Sequence, residues 1–294
     1  MDLSCTTITP DPIATTEPPR ALGVPLTRTG PLMPFTLDWN DPESARRRYE
    51  ADGYLYLRGL LDRNQVLAFR EYYFAQFQST GLLAPGSRPI EGLCGEGNVA
   101  DGVVNAILHR IVRSPEYAAL CASPALVAFY EWFFGSPVHL HRRKILRHTT
   151  ARGPLATGAH YDLVYIDQGT ERLCTSWIPL GDLPLTTGTL IYLEGSHRLD
   201  VESLRGAFPD FPARSGWITR DLEGLSSRTG LRWLASPAFA AGDMMVHGPR
   251  MIHASCDRHH AGGLMRLSTD IRYQPKNEPI DARWQRDWSH DDGL

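Results

Sequence analysis

The chain has 294 residues, of which 42% are hydrophobic and 21% are charged, and its formal net charge is -3. These values are typical of a globular protein that buries a sizeable core. The small negative charge gives no electrostatic basis for binding nucleic acid or an anionic membrane surface, so a small molecule is the expected partner.

The five cysteines are odd in number and none is spaced as CxxC. This argues against a disulfide framework or a structural zinc cluster and indicates a reducing compartment. The first residues lack the basic and apolar segments of a secretion signal. The apolar stretch 118–135 is interrupted by Pro124 and Glu131, which makes it a poor membrane span. We therefore expect a cytoplasmic protein, and nothing in the sequence indicates its oligomeric state.

The N-terminal residues 1–35 are rich in Thr and Pro and show no hydrophobic period. We predict that they form a flexible or surface-wrapping arm, and that residues 36–294 form a single domain. A short helix begins at Asp41 or Ser44 and ends at Gly53. The following run YLYLRGLL is predicted as a strand.

A second, amphipathic helix is predicted over 62–81, with Gly81 as its stop. Its apolar stripe consists of Val66, Phe69, Tyr73 and Phe77. The glycine-rich segment 84–102 is predicted as a long loop that covers a pocket. Helical patterns return at 103–112 and 116–134.

From Val138 onward, short apolar runs alternate with turn residues, which predicts a series of strands. The runs are VHLHRRKILRHTT, GAHYDLVYI, LCTSWIPL, TLIYLEGS, GDMMVHG, MIHAS and LMRLSTDIRYQP. Helices followed by many short strands predict an α+β fold, mainly β, in which helices pack against a β-sandwich or barrel.

His160 and Asp162 lie two positions apart in GAHYDLVYIDQG, so in a strand their side chains share one face. An imidazole and a carboxylate on one face are two thirds of a 2-His-1-carboxylate triad, which favours non-haem Fe(II). A zinc site more often has four protein ligands, or three and a catalytic water. The motif is weak alone, because His-x-Asp occurs again at 290–292 in a polar tail.

The third ligand should be a histidine from a distant strand that folds back beside the first. Downstream candidates are His197, His247, His253, His259, His260 and His290. His259 and His260 lie in a turn-rich connection, and His197 ends a loop. The residue pattern does not choose between His247 and His253.

The last strand, LMRLSTDIR, places four polar residues on one face. They are Arg266, Ser268, Asp270 and Arg272. This face is either the solvent side of an edge strand or an inward face. In the second case Arg266 and Ser268 would hold a carboxylate, Arg266 through a bidentate charge-assisted pair.

At these residues the sequence resembles the phytanoyl-CoA dioxygenase family of Fe(II)- and 2-oxoglutarate-dependent oxygenases, over roughly residues 40–288. The resemblance is carried by EADGYLYLRGLL, His160-Tyr161-Asp162, SWIPLGDLPLTTGTLIYLEGSH, GDMMVHGPRMIHAS and RLSTDIRYQP. It implies a double-stranded β-helix, which is a jelly roll with flanking helices. It also implies Fe(II), 2-oxoglutarate and O2 as cofactors.

The resemblance also assigns site residues. It selects His253 as the distal metal ligand, after the Gly-Asp pair, and leaves His247 as a neighbour of the site or a core residue. Arg266, with Ser268 beside it, would bind the far carboxylate of 2-oxoglutarate. Trp177 and Arg147 match positions near the cosubstrate in some relatives, although Trp177 also suits a core.

The implied reaction is hydroxylation of an unactivated C–H bond in a small, largely apolar molecule, such as a specialised metabolite, with succinate and CO2 as co-products. Desaturation, epimerisation or ring closure with the same cofactors are alternatives. So are a non-catalytic metal- or ligand-binding jelly roll and a zinc hydrolase. Asp162 favours oxygenation over halogenation, because related halogenases carry a small residue there.

Two departures from the family concern packing and the substrate pocket. Tyr161 stands where Gln is commoner. Residues 199–235 are predicted as a long polar loop that shapes the substrate pocket together with 84–102. Apolar loop residues support an apolar substrate, namely Leu82, Leu83, Leu93, Phe208, Phe211 and Trp217.

Overall fold

The computed structural model describes residues 18–150, 156–208, 211, 216–259 and 262–290. Within these ranges the helices precede most of the strands, as the sequence predicts. The α-helices are α1 (Pro42–Asp52), α2 (Arg63–Ala75), α3 (Asp101–Ile111), α4 (Pro115–Cys121), α5 (Pro124–Phe134) and α6 (Leu222–Thr229). Short 3-10 helices lie at Pro89–Glu91, Asp162–Val164, Ser196–Arg198, Val201–Ala207 and Ala282–Gln285.

The strands are short, apart from the last one. They are β1 (Arg20–Ala21), β2 (Val24–Pro25), β3 (Thr29–Pro31), β4 (Tyr54–Leu57), β5 (Val138–Leu140), β6 (Ile145–His148), β7 (Cys174–Pro179), β8 (Leu183–Pro184), β9 (Leu190–Leu193), β10 (Trp233–Ala235), β11 (Ala238–Phe239), β12 (Met244–His247), β13 (His253–Ser255) and β14 (Leu267–Pro275).

Two sheets carry the architecture. The larger has the strand order β4-β12-β7-β14-β5, and β6 also pairs with β14; the smaller has the order β13-β9-β10-β3. Tyr54 and Trp177 of the larger sheet belong to one buried cluster with Tyr192 and Leu234 of the smaller one. The two sheets therefore face each other across a shared core, as in a double-stranded β-helix.

Helices cover the outer face of the larger sheet. The main apolar cluster joins residues of α2, α4 and α5 to Val246, Ile178 and Ile271 of three adjacent strands. The stretch Pro115–Phe134 is long and apolar enough to cross a membrane by length and composition. It is split between α4 and α5, and it buries Phe129 and Phe133 in this cluster. These two helices are therefore part of the core.

The predicted helix boundaries are confirmed where capping residues define them. The Asp41 carboxylate accepts a hydrogen bond from the backbone N–H of Ser44, and Gly53 ends α1 with φ 79°. All four residues of the predicted stripe are buried, three of them on α2 and Phe77 in the turn that follows it. That helix ends at Ala75 rather than near Gly81, and turns fill the difference.

Two predictions about the strand region are wrong. The segment 158–166 is not a continuous strand: His160 forms an isolated bridge, and the chain turns into a 3-10 helix at Asp162. Residues 199–235 are not a plain loop either, because they contain α6 and β10. The apolar residues of this segment, such as Phe208 and Ile218, pack in a separate buried cluster.

The described part of the N-terminal segment follows the surface of the smaller sheet. β3 pairs in parallel with β10, and β1 pairs with β2. The Asp257 carboxylate accepts hydrogen bonds of 2.7 Å from the backbone N–H groups of Leu22 and Gly23. These contacts hold residues 20–31 against the smaller sheet and the segment at Asp257, while residues 1–17 lie outside the described residues.

The buried Asp243 carboxylate anchors the start of β12. It accepts hydrogen bonds from the Tyr56 hydroxyl at 2.9 Å and from the backbone N–H groups of Gly59 and Ala240 at 3.0 and 2.9 Å. These bonds join β12 to the segment that follows β4. They fix the position of β12 within the larger sheet. The last residue of this strand, His247, lies beside Asp162.

We expect Asp243→Ala to lower the free energy of unfolding by about 3 kcal/mol, because it removes the partner of several buried donors. The matched control is Asp62→Ala, which removes one exposed N-cap bond to Gln65 and should cost about 1 kcal/mol. Urea denaturation measures both. Equal losses would contradict the anchoring role of Asp243.

Candidate active site

The site begins with a backbone pairing that joins the two sequence-predicted histidine segments. The His160 N–H donates to the His253 carbonyl at 3.0 Å, and the His253 N–H donates to the His160 carbonyl at 2.8 Å. Their imidazole rings lie with centroids 4.1 Å apart. The structure therefore brings His160 and His253 together, and the pairing itself sets their spacing.

The Asp162 carboxylate completes a group of three. One potential ligand atom from each of His160, Asp162 and His253 lies within 4.8 Å of the others, and all three residues are buried. Each imidazole uses Nδ1 for a backbone carbonyl at 2.9 Å, His160 for Gly158 and His253 for Met251. These bonds fix the tautomer and leave the Nε2 lone pairs for a metal.

The protonation states suit metal binding. Burial lowers the pKa of His160 and of His253, the latter also through the two neighbouring imidazoles, so both rings are neutral near pH 7. Burial alone would raise the pKa of Asp162. The positive charge of Arg272 and the neighbouring imidazoles of His247 and His253 together outweigh this effect and hold the pKa of Asp162 well below its usual range. The group thus offers two neutral imidazoles and one carboxylate.

A row of three residues across the larger sheet holds this carboxylate. His247, Thr175 and Arg272 are opposite one another on the adjacent strands β12, β7 and β14. The Thr175 hydroxyl donates to Oδ2 of Asp162, and Arg272 Nη2 donates to the same oxygen at 3.0 Å. His247 Nε2 lies 3.6 Å from Oδ2, and its Nδ1 is 2.8 Å from the Tyr192 hydroxyl.

The two carboxylate oxygens therefore have different surroundings. Oδ2 accepts hydrogen bonds from Thr175 and Arg272, whereas Oδ1 is the oxygen 3.9 Å from His253 Nε2. Two imidazoles and one carboxylate oxygen are the ligand set of a non-haem Fe(II) facial triad, which leaves other coordination positions open. The residues present fit Fe(II). Among the described residues His247 is outside the group of three, as the sequence analysis placed it.

A cavity opens beside these residues on the same face of the sheet. All four polar residues predicted to share a face of β14 line it, along with Trp177 and Arg147. β14 pairs with β7 on one side and with β5 and β6 on the other, so the alternative of an exposed edge strand is wrong. Two further rows of the sheet border the cavity: Trp177 is opposite Asp270 on β14, and Ser268 is opposite Arg147 on β6.

Several buried donors of cavity-lining residues lack hydrogen-bond partners in the described part of the chain. They are Arg266 Nε and Ser268 Oγ, and Nε and Nη1 of Arg272 beside Asp162. Arg266 Nη1 donates to the Gly188 carbonyl, and burial together with the Arg147 guanidinium lowers the pKa of Arg266 to about 10. Arg266 is therefore still charged at neutral pH. An unpaired guanidinium nitrogen and a hydroxyl fit the carboxylate of a dicarboxylic acid.

The remaining candidate histidines lie elsewhere. His197 Nε2 contacts the Glu50 carbonyl at 3.1 Å, and His259 is exposed. His290 lies in the tail, and His260 is outside the described residues. Sequence reasoning missed the roles of Thr175 and Arg272. Arg272 was placed on the correct face of β14, but no local signal showed that this face meets Asp162.

A larger groove adjoins the cavity. Its volume is about 460 Å³, and it shares Arg147, Thr157, Ser255 and Arg266 with the cavity. Residues 94–104 form one wall, which agrees with the prediction that the segment 84–102 covers a pocket. No described residue of 199–235 lines the groove. Of the apolar loop residues singled out in the sequence, Leu82 alone lies on it.

Comparisons with known proteins agree with this geometry. The family profile "Phytanoyl-CoA dioxygenase (PhyH)" matches residues 49–262. The 1-deoxypentalenic acid 11-beta-hydroxylase of Streptomyces arenae is 30% identical over 246 residues, which cover 80% of this chain and 82% of that protein.

Solved structures share the fold. The epimerase SnoN in complex with Fe3+, alpha ketoglutarate and nogalamycin RO has a TM-score of 0.56 at 21% identity, over 83% of this chain and 87% of SnoN. The carbocyclase SnoK from nogalamycin biosynthesis has a TM-score of 0.56 at 20% identity, over 90% and 92%.

The profile match spans most of the chain, and the triad and the cavity provide the donor set that such enzymes need. The chain belongs to the phytanoyl-CoA dioxygenase (PhyH) family and is a 2-oxoglutarate-dependent non-haem iron dioxygenase, with Fe(II), 2-oxoglutarate and O2 as its cofactors.

Proposed function

We propose that this enzyme hydroxylates an unactivated C–H bond of a small, largely apolar molecule in specialised-metabolite biosynthesis. Succinate and CO2 are the co-products. The observation that carries the proposal is the buried, unpaired pair of donors at Arg266 and Ser268 beside the group of His160, Asp162 and His253. Residues 36–294 are proposed as one catalytic domain.

In this proposal His160, Asp162 and His253 hold Fe(II), and the hydrogen bonds of each side chain determine which atom it presents to the metal. The two imidazoles present Nε2 because Nδ1 is bonded to backbone carbonyls. Asp162 presents Oδ1 because Oδ2 is held by Thr175 and Arg272. The bound iron supplies activation of O2, coupled to decarboxylation of the cosubstrate. The protein orients the ligands and excludes water.

The far carboxylate of 2-oxoglutarate is proposed to bind Arg266 and Ser268. Trp177 forms part of the cavity wall and packs edge-on against Phe239 at 5.0 Å, so it serves both the core and the pocket. Arg147 also lines the cavity, and its role toward the cosubstrate stays a prediction. The groove beside residues 94–104 is proposed to hold the body of the substrate.

Hydroxylation is preferred because the relative with 30% identity over most of its length is a hydroxylase. Epimerisation and ring closure are the second candidates, since an epimerase and a carbocyclase share this fold. The intact donor set argues against a protein that has lost catalysis. A zinc hydrolase would keep its activity without O2 and 2-oxoglutarate.

Succinate formation tests the proposal. We expect release of succinate from 2-oxoglutarate only with Fe(II) and O2 present, with 1-deoxypentalenic acid as the first substrate tried. A product that gains one oxygen atom indicates hydroxylation, loss of two hydrogen atoms indicates desaturation or ring closure, and unchanged mass indicates epimerisation. Absence of iron binding and of succinate would contradict the enzyme function.

The ligand assignment predicts different results for three histidine variants. His160→Ala and His253→Ala should each abolish iron-dependent turnover, because each removes one Nε2 donor. His247→Ala should only weaken it, because His247 Nε2 faces Oδ2 of Asp162, which is not the oxygen proposed to bind the metal. Succinate assays on folded variants measure this. A dead His247→Ala together with an active His253→Ala would show that the wrong histidine has been chosen.

The hydrogen bond from Arg272 to Asp162 predicts an effect on metal affinity. We expect Arg272→Met to raise the Kd for Mn(II) by roughly 10- to 100-fold, because the carboxylate loses its charged partner. Arg142→Met, which removes an exposed ion pair with Asp287, is the control and should leave the Kd unchanged. Titration followed by electron paramagnetic resonance measures free Mn(II). Equal affinities in both variants would contradict the holding role.

The assignment of Arg266 to 2-oxoglutarate predicts a change in the KM for this cosubstrate without a change in metal affinity. Arg266→Gln should raise the KM for 2-oxoglutarate by roughly tenfold or more, since a bidentate charged donor is lost. Its affinity for Mn(II) should stay as in the parent protein. Arg250→Gln, which breaks an exposed pair with Glu171, is the matched control. An unchanged KM in Arg266→Gln would place the far carboxylate elsewhere.

A further inference from the structure

The groove that adjoins the metal cavity is lined by apolar and polar residues in similar measure, with Asn98 and Asp101 among the polar ones, and two arginines lie at its inner end. Its apolar lining comes from Leu82, Val99, Val104, Leu108, Leu146 and Ala156. Arg147 and Arg266 stand where the groove meets the cavity, because both line the two spaces. Its volume of about 460 Å³ lies within the ordinary range for small-molecule sites.

The described residues of the cavity carry an excess of positive charge. Three arginines and two aspartates line it, namely Arg147, Arg266, Arg272, Asp162 and Asp270. Fe(II) and the 2-oxoglutarate dianion carry opposite charges of equal size and cancel. One positive charge therefore remains on the cavity lining when both are bound, and it favours a further ligand of negative charge.

Arg147 is the arginine with the weakest partner. Arg272 donates to Asp162 at 3.0 Å, and Arg266 faces the proposed carboxylate site of the cosubstrate. Arg147 Nε lies 3.7 Å from Asp270 Oδ2, which is longer than a hydrogen bond, and 43% of its side chain is exposed. On the sheet, Arg147 is opposite Ser268, so it lies next to the row that carries the cosubstrate site.

We propose that the primary substrate is an anion: a small apolar molecule with a carboxylate that binds Arg147 while its apolar body lies in the groove. This inference rests on the proposed function. Asp270 is a positioning residue, because it holds the guanidinium loosely at the wall and leaves its other nitrogens for the ligand. In this assignment Arg147 binds the substrate, which replaces the cosubstrate role predicted from the sequence, and Arg266 binds 2-oxoglutarate.

Three probes with one apolar body and different charge test the proposal. They are 1-adamantanecarboxylate, 1-adamantanemethanol and 1-adamantanemethylammonium. Calorimetry measures their Kd on the full chain loaded with Mn(II) and 2-oxoglutarate. We expect the carboxylate to bind roughly tenfold more tightly than the alcohol, and the ammonium ion to bind most weakly.

Variants then assign the preference to one residue. Arg147→Gln should remove the preference for the carboxylate and leave the Kd for 2-oxoglutarate within about twofold of the parent value. Arg147→Lys should keep part of it, and Asp270→Asn should increase it, since a competing negative charge is lost. Arg63→Gln, which breaks an exposed ion pair with Asp182, is the control and should keep the full preference.

Several outcomes would overturn the inference. These are equal binding of the probes, no binding by any of them, or a preference that survives in Arg147→Gln. A large rise in the Kd for 2-oxoglutarate in Arg147→Gln would give this residue to the cosubstrate instead. Succinate formation is measured on the same preparations. Complete absence of succinate contradicts the proposed function. Succinate formation without a preference for the carboxylate probe contradicts only the inference of an anionic substrate.

Discussion

The reciprocal backbone hydrogen bonds between His160 and His253 are the interaction on which the site depends. They join two segments that are distant in the sequence, at the point where the chain leaves extended structure for the 3-10 helix that begins at Asp162. One isolated bridge thus sets the spacing of two imidazoles and delivers the carboxylate beside them. A slip of one residue would turn both rings to the opposite face.

The larger sheet supplies the second half of the site. Residues that lie opposite one another on β12, β7 and β14 place polar side chains at regular intervals along one face of the sheet. The row of His247, Thr175 and Arg272 holds Oδ2 of Asp162, and the rows beyond it carry Trp177, Ser268 and Arg147. Arginines therefore lie at both ends of this face, with Arg272 beside Asp162 and Arg147 where the cavity meets the groove.

Much of this arrangement could be predicted from the sequence, because it follows from local pattern. Alternation in β14 correctly placed four polar residues on one face, and capping residues set the ends of α1. The contact of Arg272 with Asp162 could not be predicted, since it depends on which strands face each other. Asp162 was expected in a strand. In the described part of the chain the pairing of this segment ends with the single bridge of His160 to His253, and the chain turns into a 3-10 helix at Asp162.

The segment 199–235 is a second part of the chain whose structure the local sequence pattern did not predict. Its polar residues predicted a loop, yet Trp233 and Leu225 pack in a buried cluster, and β10 lies between β9 and β3. Tertiary packing outweighed the local composition there. The wall of the groove instead comes from the glycine-rich segment 84–102, whose composition had indicated a pocket-covering loop.

A crystal structure of the full chain grown anaerobically with Fe(II) and 2-oxoglutarate tests the central claim most directly. The account predicts iron bound by Nε2 of His160, Nε2 of His253 and only Oδ1 of Asp162, with the far carboxylate of 2-oxoglutarate on Arg266 and Ser268. Iron bound by His247, both oxygens of Asp162 on the metal, or a cosubstrate carboxylate away from Arg266 would contradict it.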